Sequence, residues 1–85
     1  MTIKDIRSML KNGIIITEHG KKRMRQRFIK ITTIESAIEN GEIIKIDTDT
    51  KPFPSCLVSH NDLRVAVAND GVNLHLLTVY RRKKR

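Results

Sequence analysis

Two turn signals in the second half of the chain constrain its fold more than any other feature. Asn61-Asp62 and Asp70-Gly71 separate three segments, 55–60, 63–69 and 72–81, that are rich in β-branched and other apolar residues. Dipeptides of this kind between such segments are typical of tight loops that join antiparallel strands. The sequence therefore predicts a meander of three strands in this part of the chain.

A two-residue turn at Asp70-Gly71 would also set the register of the last hairpin. Val67 would then pair with Leu74, and Val65 with Leu76, which places apolar side chains opposite each other on one face. The pairs predicted for the other face are Arg64 with Leu77, Ala66 with His75, and Ala68 with Asn73. That second face is expected to be more polar and to stay open.

The first part of the chain favours helices and one short strand. Thr2 can cap a first helix in which apolar residues recur at helical spacing, and Asn12-Gly13 can end it. Residues 14–17 are β-branched throughout and too few for a helix, which predicts a short buried strand. A second helix, the most basic element of the chain, is expected over residues 18–28.

A third helix and a further strand are expected before the meander. The pattern Thr32-Thr33-Ile34-Glu35 predicts a capping box at the start of this helix, and Asn40-Gly41 predicts its end. Its apolar face would consist of Ile34, Ala37 and Ile38. A strand over 42–47 follows. This order predicts an α+β domain with helices packed on one face of a mainly antiparallel sheet of four to five strands.

The length and the single cysteine limit the class of protein. At 85 residues the chain has room for one domain, which we place at 1–80, followed by a basic tail at 81–85. Cys56 has no partner for an internal disulfide, which favours a reducing compartment, and it is expected to be a small buried residue rather than a nucleophile. Signal-peptide and bilayer-spanning patterns are missing. We therefore expect a soluble, cytoplasmic protein.

The charge of the chain points to an anionic partner. Seventeen Lys and Arg against nine Asp and Glu give a net charge of +8, and the pI is near 10.2. Six of the basic residues lie between 21 and 30 and five form the tail. Nucleic acid is the expected partner, and a membrane is not. Two Phe, one Tyr and no Trp are too few for a base-stacking platform, so contacts to phosphates should dominate and weaken with salt.

The predicted second helix carries the densest group of candidate site residues. His19, Arg23 and Arg27 fall on adjacent lines of this helix at about 100° per residue. Met24 and Phe28 fall on the neighbouring arc, which borders the core. Guanidinium groups in such a position can hold a phosphate with two forks at once. The alternatives are a solvated face with ordinary surface charges and a structural His19 bonded to a backbone carbonyl.

The last predicted strand carries two further candidates. His75 is expected on the open face near Arg64, whereas Tyr80 shares the alternation of Leu74 and Leu76 and is expected as a ring at the core edge. These groups suffice for metal-free RNA cleavage, in which one group removes the 2′-hydroxyl proton, arginines stabilise the phosphorane and another group protonates the leaving oxygen. Metal-ligand spacing and a Gly-rich phosphate loop are both missing from the sequence, so no cofactor is expected.

Two segments carry a family resemblance. Residues 17–27 and 34–44 resemble small bacterial and phage domains with the pattern His-x-x-x-Arg-Met-x-x-Arg, followed by a short helix that ends in Asn-Gly-Glu-Ile-Ile. The final strand of those domains often ends in Thr-Val-Tyr, as Thr78-Val79-Tyr80 does here. The similarity covers roughly 16–80. Such domains look related to the BrnT and RelE-like toxins, which are compact α+β ribonucleases neutralised by an antitoxin.

The resemblance implies a RelE-like fold and a metal-independent endoribonuclease toxin that acts on RNA. An antitoxin and the ribosome are its candidate partners. Arg27 follows Arg23 by four residues where the pattern commonly has three, at the position of Gln26, so Arg27 matches less well. The predicted catalytic residues are His19, Arg23, His75 and Tyr80. The predicted nucleic-acid-binding residues are Lys22, Arg27, Arg64, Arg81, Arg82 and Lys83. The rival hypothesis is a non-catalytic regulator of bacterial or phage origin that binds nucleic acid or a host protein.

Overall fold

The computed structural model describes residues 1–82. Its helices are α1 (Ile3–Met9), which continues into a 3-10 turn at Leu10–Asn12, α2 (Glu18–Arg27) and α3 (Ile31–Asn40). Its strands are β1 (Ile14–Ile16), β2 (Glu42–Asp47), β3 (Ser55–His60), β4 (Leu63–Asn69) and β5 (Leu74–Arg81). β5 therefore extends one residue beyond the end predicted for the domain.

The strands form one five-stranded sheet in the order β1-β5-β4-β3-β2. β1 runs parallel to β5, and the other neighbouring strands are antiparallel. α3 packs against β3 and β4, α2 packs against β5, and α1 packs against α3. The predicted α+β architecture, with helices on one face of a mainly antiparallel sheet, is confirmed. Within residues 1–82, no helix is long and apolar enough to cross a membrane.

The core lies between the helices and one face of the sheet. The largest fully buried side chains come from α1, α3 and the three strands of the meander: Ile6, Ile34, Ile38, Val58, Val65, Val67, Leu74, Leu76 and Val79. Burial of each such side chain stabilises the fold by about 1.5–3 kcal/mol. The apolar face predicted for the third helix is confirmed, since Ile34, Ala37 and Ile38 are its buried residues.

One of the two predicted helix caps is correct. Thr2 and Asp5 form a capping box at the start of α1, because each side chain accepts a hydrogen bond from the backbone N–H of the other. The capping box predicted for Thr32 and Glu35 is wrong. α3 begins at Ile31 without a side-chain cap. Thr32 is therefore already inside the helix, where its backbone cannot adopt the extended conformation of a capping residue.

β1 is an exposed edge strand, whereas its sequence predicts a buried one. It pairs with β5 on one side only. Ile15 and Ile16 keep 46% and 38% of their surface exposed. The β-branched run predicts the strand correctly, but burial also requires an element on its outer edge, and the part of the chain that the structure describes places none there.

The last hairpin has a longer turn than predicted. β3 and β4 keep their predicted limits, but β5 begins at Leu74, which pairs with Asn69. The Asp70 carboxylate accepts hydrogen bonds from the backbone N–H groups of Val72 (2.8 Å) and Asn73 (2.6 Å). Such side-chain bonds to the following backbone stabilise a wider turn. The two-residue turn predicted at Asp70-Gly71 is therefore wrong.

The register of β4 and β5 differs from the predicted one in two ways. Val67 pairs with Leu76, two positions further along than predicted. The register then shifts once more, because Leu77 has no partner on β4 and forms a β-bulge. Beyond the bulge, Val79 faces the core and Tyr80 faces the open side, so the core-edge position predicted for Tyr80 is wrong. The pairs on the open face are Arg64 with Tyr80, Ala66 with Thr78, and Ala68 with His75.

α2 approaches the backbone of β5 very closely at Leu76. The Leu76 carbonyl accepts hydrogen bonds from the Thr17 hydroxyl (2.6 Å) and from the Thr17 N–H (3.3 Å). The buried Gly20 lies against the same carbonyl, and a Cβ added at Gly20 would be 2.5 Å from its oxygen. Only glycine therefore fits at this position of α2.

Replacement of Gly20 by Ala should destabilise the protein. Ala normally stabilises a helix interior relative to Gly, but here its methyl group would collide with a backbone atom that cannot rotate away. We expect a loss of about 1–3 kcal/mol in the free energy of unfolding, measured by urea denaturation. The exposed Lys22→Ala variant in the same helix should stay within about 0.5 kcal/mol of wild type. A Gly20→Ala variant as stable as wild type would show that α2 can move off β5 without penalty.

Candidate nucleic-acid interface

The two long sides of α2 face different surfaces of the protein. Lys21 and Arg25 lie on one side of Gly20, where they border a groove with Ile16 and other apolar residues. Ile16 pairs with a core residue of β5, so this groove belongs to the face of the sheet that carries the helices. His19 and Arg23 lie on the other side of Gly20 at helical spacing. They therefore form the opposite border of α2, turned away from that groove.

His19 and Arg23 are in contact along this border. Arg23 Nε donates a long hydrogen bond of 3.4 Å to His19 Nε2, and Arg23 Nη1 donates to Gln26 Oε1 at 2.9 Å. A ring nitrogen accepts a hydrogen bond through its one in-plane lone pair, so in this arrangement the lone pair of Nε2 points at Arg23. The adjacent placement that helical spacing predicts for His19 and Arg23 is thus present.

The remaining basic candidates of α2 lie elsewhere on the helix. Lys22 follows Gly20 by two positions, which turns it about 200° away, toward solvent. Arg27, the last residue of α2, is exposed. Both can reach a ligand that follows the helix, but neither shares the contact between His19 and Arg23.

On the open face, Arg64 and Tyr80 lie directly opposite each other on β4 and β5. Cross-strand neighbours on one face have Cβ atoms about 4.5–5.5 Å apart, so the two side chains are adjacent. The Arg64 guanidinium donates to the backbone carbonyls of Asn61 (2.9 Å) and Leu63 (3.0 Å). Both side chains are partly exposed.

Two more of the predicted phosphate-binding residues, at the end of β5 and just after it, contact the turn between β3 and β4. Arg81 forms an exposed ion pair with Asp62 at 3.2 Å. The Arg82 backbone N–H donates to the Asp62 carbonyl at 2.6 Å, which leaves the exposed Arg82 side chain outside that contact. An exposed pair such as Arg81 with Asp62 is worth about 0–1 kcal/mol, so an anionic ligand can compete for the guanidinium. Lys83 lies outside the described residues.

His75 belongs to a different cluster, at the opposite end of β5. Its Nε2 lies 2.7 Å from Asp70 Oδ2, and its ring centroid is 5.7 Å from that of Phe53. Backbone N–H groups, first that of Asn73, together with the His75 side chain lower the pKa of Asp70 to about 2. The carboxylate is therefore ionised and fixes the imidazole in place.

His75 and Tyr80 do not come together. They are five positions apart on one strand, and a strand rises about 3.3 Å per residue, so roughly 15 Å separates their backbones. The four residues predicted to be catalytic are therefore divided. His19 and Arg23 form one pair, Tyr80 lies beside Arg64 on the open face, and His75 is paired with Asp70.

Phe28 is the residue whose position the sequence predicts least well. It was expected beside the core, but it is 92% exposed. It ends α2 in the left-handed conformation, with φ of 54°, while the Ile29 N–H donates to the Met24 carbonyl at 3.0 Å. This reversal buries Ile29 and turns Phe28 outward. The usual signal for such a helix end, Gly or Asn, is missing, so the pattern of apolar residues alone could not locate it.

Cys56 takes no part in any of these clusters. It is buried in β3, and burial raises the pKa of its thiol to about 11. A thiol held in this protonated form is a poor nucleophile, which agrees with its expected role as a small core residue. No three His, Cys, Asp or Glu residues within 1–82 are grouped as metal ligands.

The fold and the site define a small, strongly basic α+β domain in which a cationic helix packs against β5. Residues 16–81 match the family described as "Domain of unknown function (DUF4258)", and the chain belongs to that family. The match begins with the last residue of β1 and ends with the last residue of β5, so it includes α2 and the strands β2 to β5. Searches of curated proteins and of solved structures found no match.

The low pKa of Asp70 predicts a specific dependence of stability on pH. Because folding lowers this pKa from 3.8 to about 2, the ionised carboxylate stabilises the fold fully above about pH 4, and this contribution is lost as the pH falls toward 2. Asp70→Asn should therefore be less stable than wild type at neutral pH, and the difference should shrink below pH 4. Urea midpoints measured across this range test it. The exposed loop variant Asp49→Asn is the control, and a gap between Asp70→Asn and wild type that stays constant with pH would contradict the prediction.

Proposed function

We propose that the protein is a metal-independent endoribonuclease toxin of a toxin–antitoxin system, which cleaves RNA by attack of the 2′-hydroxyl on the adjacent phosphorus. The observation that carries this proposal is the contact between His19 and Arg23 on α2, an imidazole beside a guanidinium. Tyr80 and Arg64 lie next to each other on the open face of the sheet. The resemblance to BrnT and RelE-like toxins supports the reaction class, and these side chains supply the groups that it requires.

His19 acts as the base in this mechanism. Its Nε2 lone pair accepts a hydrogen bond from Arg23 before RNA binds, and it becomes available for the 2′-hydroxyl proton once Arg23 moves to the phosphate. The 3.4 Å separation is long, as is common for catalytic contacts before substrate binds. At the phosphate, the charge of Arg23 stabilises the phosphorane.

Tyr80 supplies the proton to the leaving 5′-oxygen, and Arg64 beside it adds positive charge to the same region. Attack by the 2′-oxygen forms the new bond to phosphorus as the bond to the 5′-oxygen breaks. The products are a 2′,3′-cyclic phosphate and a 5′-hydroxyl. We prefer Tyr80 to His75 for this step, because the Nε2 of His75 is bonded to Asp70 and stabilises the turn.

The cations around this site hold the RNA backbone. No carboxylate occurs between Glu18 and Glu35, a stretch that contains six Lys and Arg residues. None of these six forms an ion pair with any residue of 1–82. Lys22 and Arg27 of this group, with Arg81, Arg82 and Lys83, are the proposed phosphate contacts. An acidic antitoxin is the expected protein partner, and the ribosome is the candidate place of action.

Cleavage of an end-labelled single-stranded RNA tests the mechanism. Wild-type protein in EDTA and low salt should give fragments with 2′,3′-cyclic phosphate ends. His19→Ala, Arg23→Ala and Tyr80→Phe should each reduce the rate by about 10²- to 10⁴-fold, the usual loss for a general acid or base. His60→Ala, which removes a partly exposed histidine on β3 rather than on α2, should retain the wild-type rate.

The variants also separate the two classes of function. Full activity in both His19→Ala and Arg23→Ala would remove α2 from the chemistry. RNA binding without cleavage by any folded variant, wild type included, would instead favour the non-catalytic regulator. Expression in a bacterial host adds an independent readout, because the toxin should arrest growth and His19→Ala should restore it.

A further inference from the structure

We propose that Phe28 is a base-stacking residue. Its ring stacks on one nucleobase of a single-stranded RNA, while the neighbouring cations of α2 bind the phosphates on either side. The inference rests on the proposed function for its ligand, RNA, but does not depend on which residues perform cleavage. It adds one stacking contact to the phosphate contacts that are expected to dominate.

The backbone at Phe28 favours a different residue. The Phe28 N–H donates to the Arg25 carbonyl and the Ile29 N–H donates to the Met24 carbonyl, which is the hydrogen-bond pattern of a Schellman helix end. Glycine is the usual residue at the left-handed position of that motif, because a side chain there is strained. Phe28, with φ of 54°, therefore opposes the local conformation rather than supporting it.

The core also gains nothing from Phe28. Its ring is 92% exposed and makes no ring contact with another aromatic side chain of residues 1–82, where Phe53 and His75 form the one tilted ring pair. Ile29, the next residue, fills the core position at this helix end. A large apolar ring that stabilises neither the backbone conformation nor the core is explained by contact with a ligand.

The charge around Phe28 selects the ligand. Arg25, Arg27 and Lys30 lie within three positions of Phe28 in sequence, and the nearest carboxylate that follows is Glu35. A purely apolar partner would leave these cations without a counter-charge. Single-stranded RNA provides phosphates at regular intervals along with bases that present flat faces, and a combination of cations and an exposed ring is the usual way to bind it.

Binding of a fully 2′-O-methylated single-stranded RNA of mixed sequence tests this proposal, because methylation blocks cleavage and leaves binding measurable. Phe28→Ala should weaken binding roughly 5- to 150-fold, as found for loss of one stacking contact. The slope of log K against log[salt] should not change, since the ring has no charge. Arg25→Ala should instead reduce the slope by about 0.7, the value for one phosphate contact on a single strand.

Phe28→Gly and Phe28→Trp complete the design. Gly relieves the left-handed strain, so this variant should unfold at a temperature no lower than wild type and still bind RNA as weakly as Phe28→Ala. Trp keeps the stacking surface, and because the chain has no other tryptophan, its fluorescence should be quenched by RNA. Val72→Trp places the same fluorophore at a 62% exposed site in the β4–β5 turn and should not be quenched.

Each outcome decides a separate point. Wild-type affinity in Phe28→Ala, or equal quenching at positions 28 and 72, would overturn the stacking role while the proposed function stands. Weakened binding by Phe28→Ala in a protein that cleaves no RNA would support stacking and overturn the catalytic proposal. If folded wild-type protein binds no RNA at all, both proposals fall, and Phe28 becomes a contact for a protein partner.

Discussion

The carbonyl group of Leu76 is the point on which the arrangement of the molecule depends. It accepts two hydrogen bonds from Thr17 and lies against Gly20, so β1 ends and α2 begins at one backbone atom of β5. A helix that meets a strand this closely cannot rotate about its own axis without a collision. The side of α2 that carries His19 and Arg23 is therefore held away from the groove that Lys21 borders.

The β-bulge at Leu77 follows immediately and has an equally large effect. Without the extra residue, the alternation of β5 would direct Tyr80 into the core and Val79 to the surface. Burial of a tyrosine hydroxyl without a partner is unfavourable, whereas Val79 fits among other aliphatic side chains. The bulge thus improves the core and, by the same rotation, places the phenol beside Arg64 on the open face. The same bulge therefore determines both the packing of Val79 and the position of Tyr80.

Local patterns predicted the elements well because each depends on residues close together in sequence. The strand limits of β3 and β4, the apolar face of α3 and the cap at Thr2 are of this kind. The hairpin register could not be obtained in that way, because the Asp70 carboxylate widens the turn through bonds to Val72 and Asn73 that the Asp-Gly signal does not reveal. The bulge at Leu77 brings Val79 into the core, and a local pattern of alternation does not encode that packing.

The candidate site shows the same division. The contact between His19 and Arg23 follows from helical spacing and was predictable, whereas the neighbourhood of Arg64 and Tyr80 required the true register. The pairing of His75 with Asp70 was not predicted, since an Asp in a turn signal is first interpreted as a turn residue. Phe28 was misplaced because apolar periodicity assigns a residue to the core as long as the helix continues, and the helix ends one residue earlier.

The cationic helix finally links stability to binding. Lys21 with Arg25, and Arg23 with Arg27, are like-charged pairs at i, i+4, and each destabilises the helix by about 0.2–0.5 kcal/mol. In a chain of 85 residues with a small core, this repulsion is a noticeable fraction of the total stability. An anionic ligand removes the repulsion as it binds, so any partner that binds these cations, whether RNA or an acidic protein, also stabilises the fold. Neutralisation of a toxin by an acidic antitoxin would then use the same charges as RNA binding, and the two ligands would compete for α2.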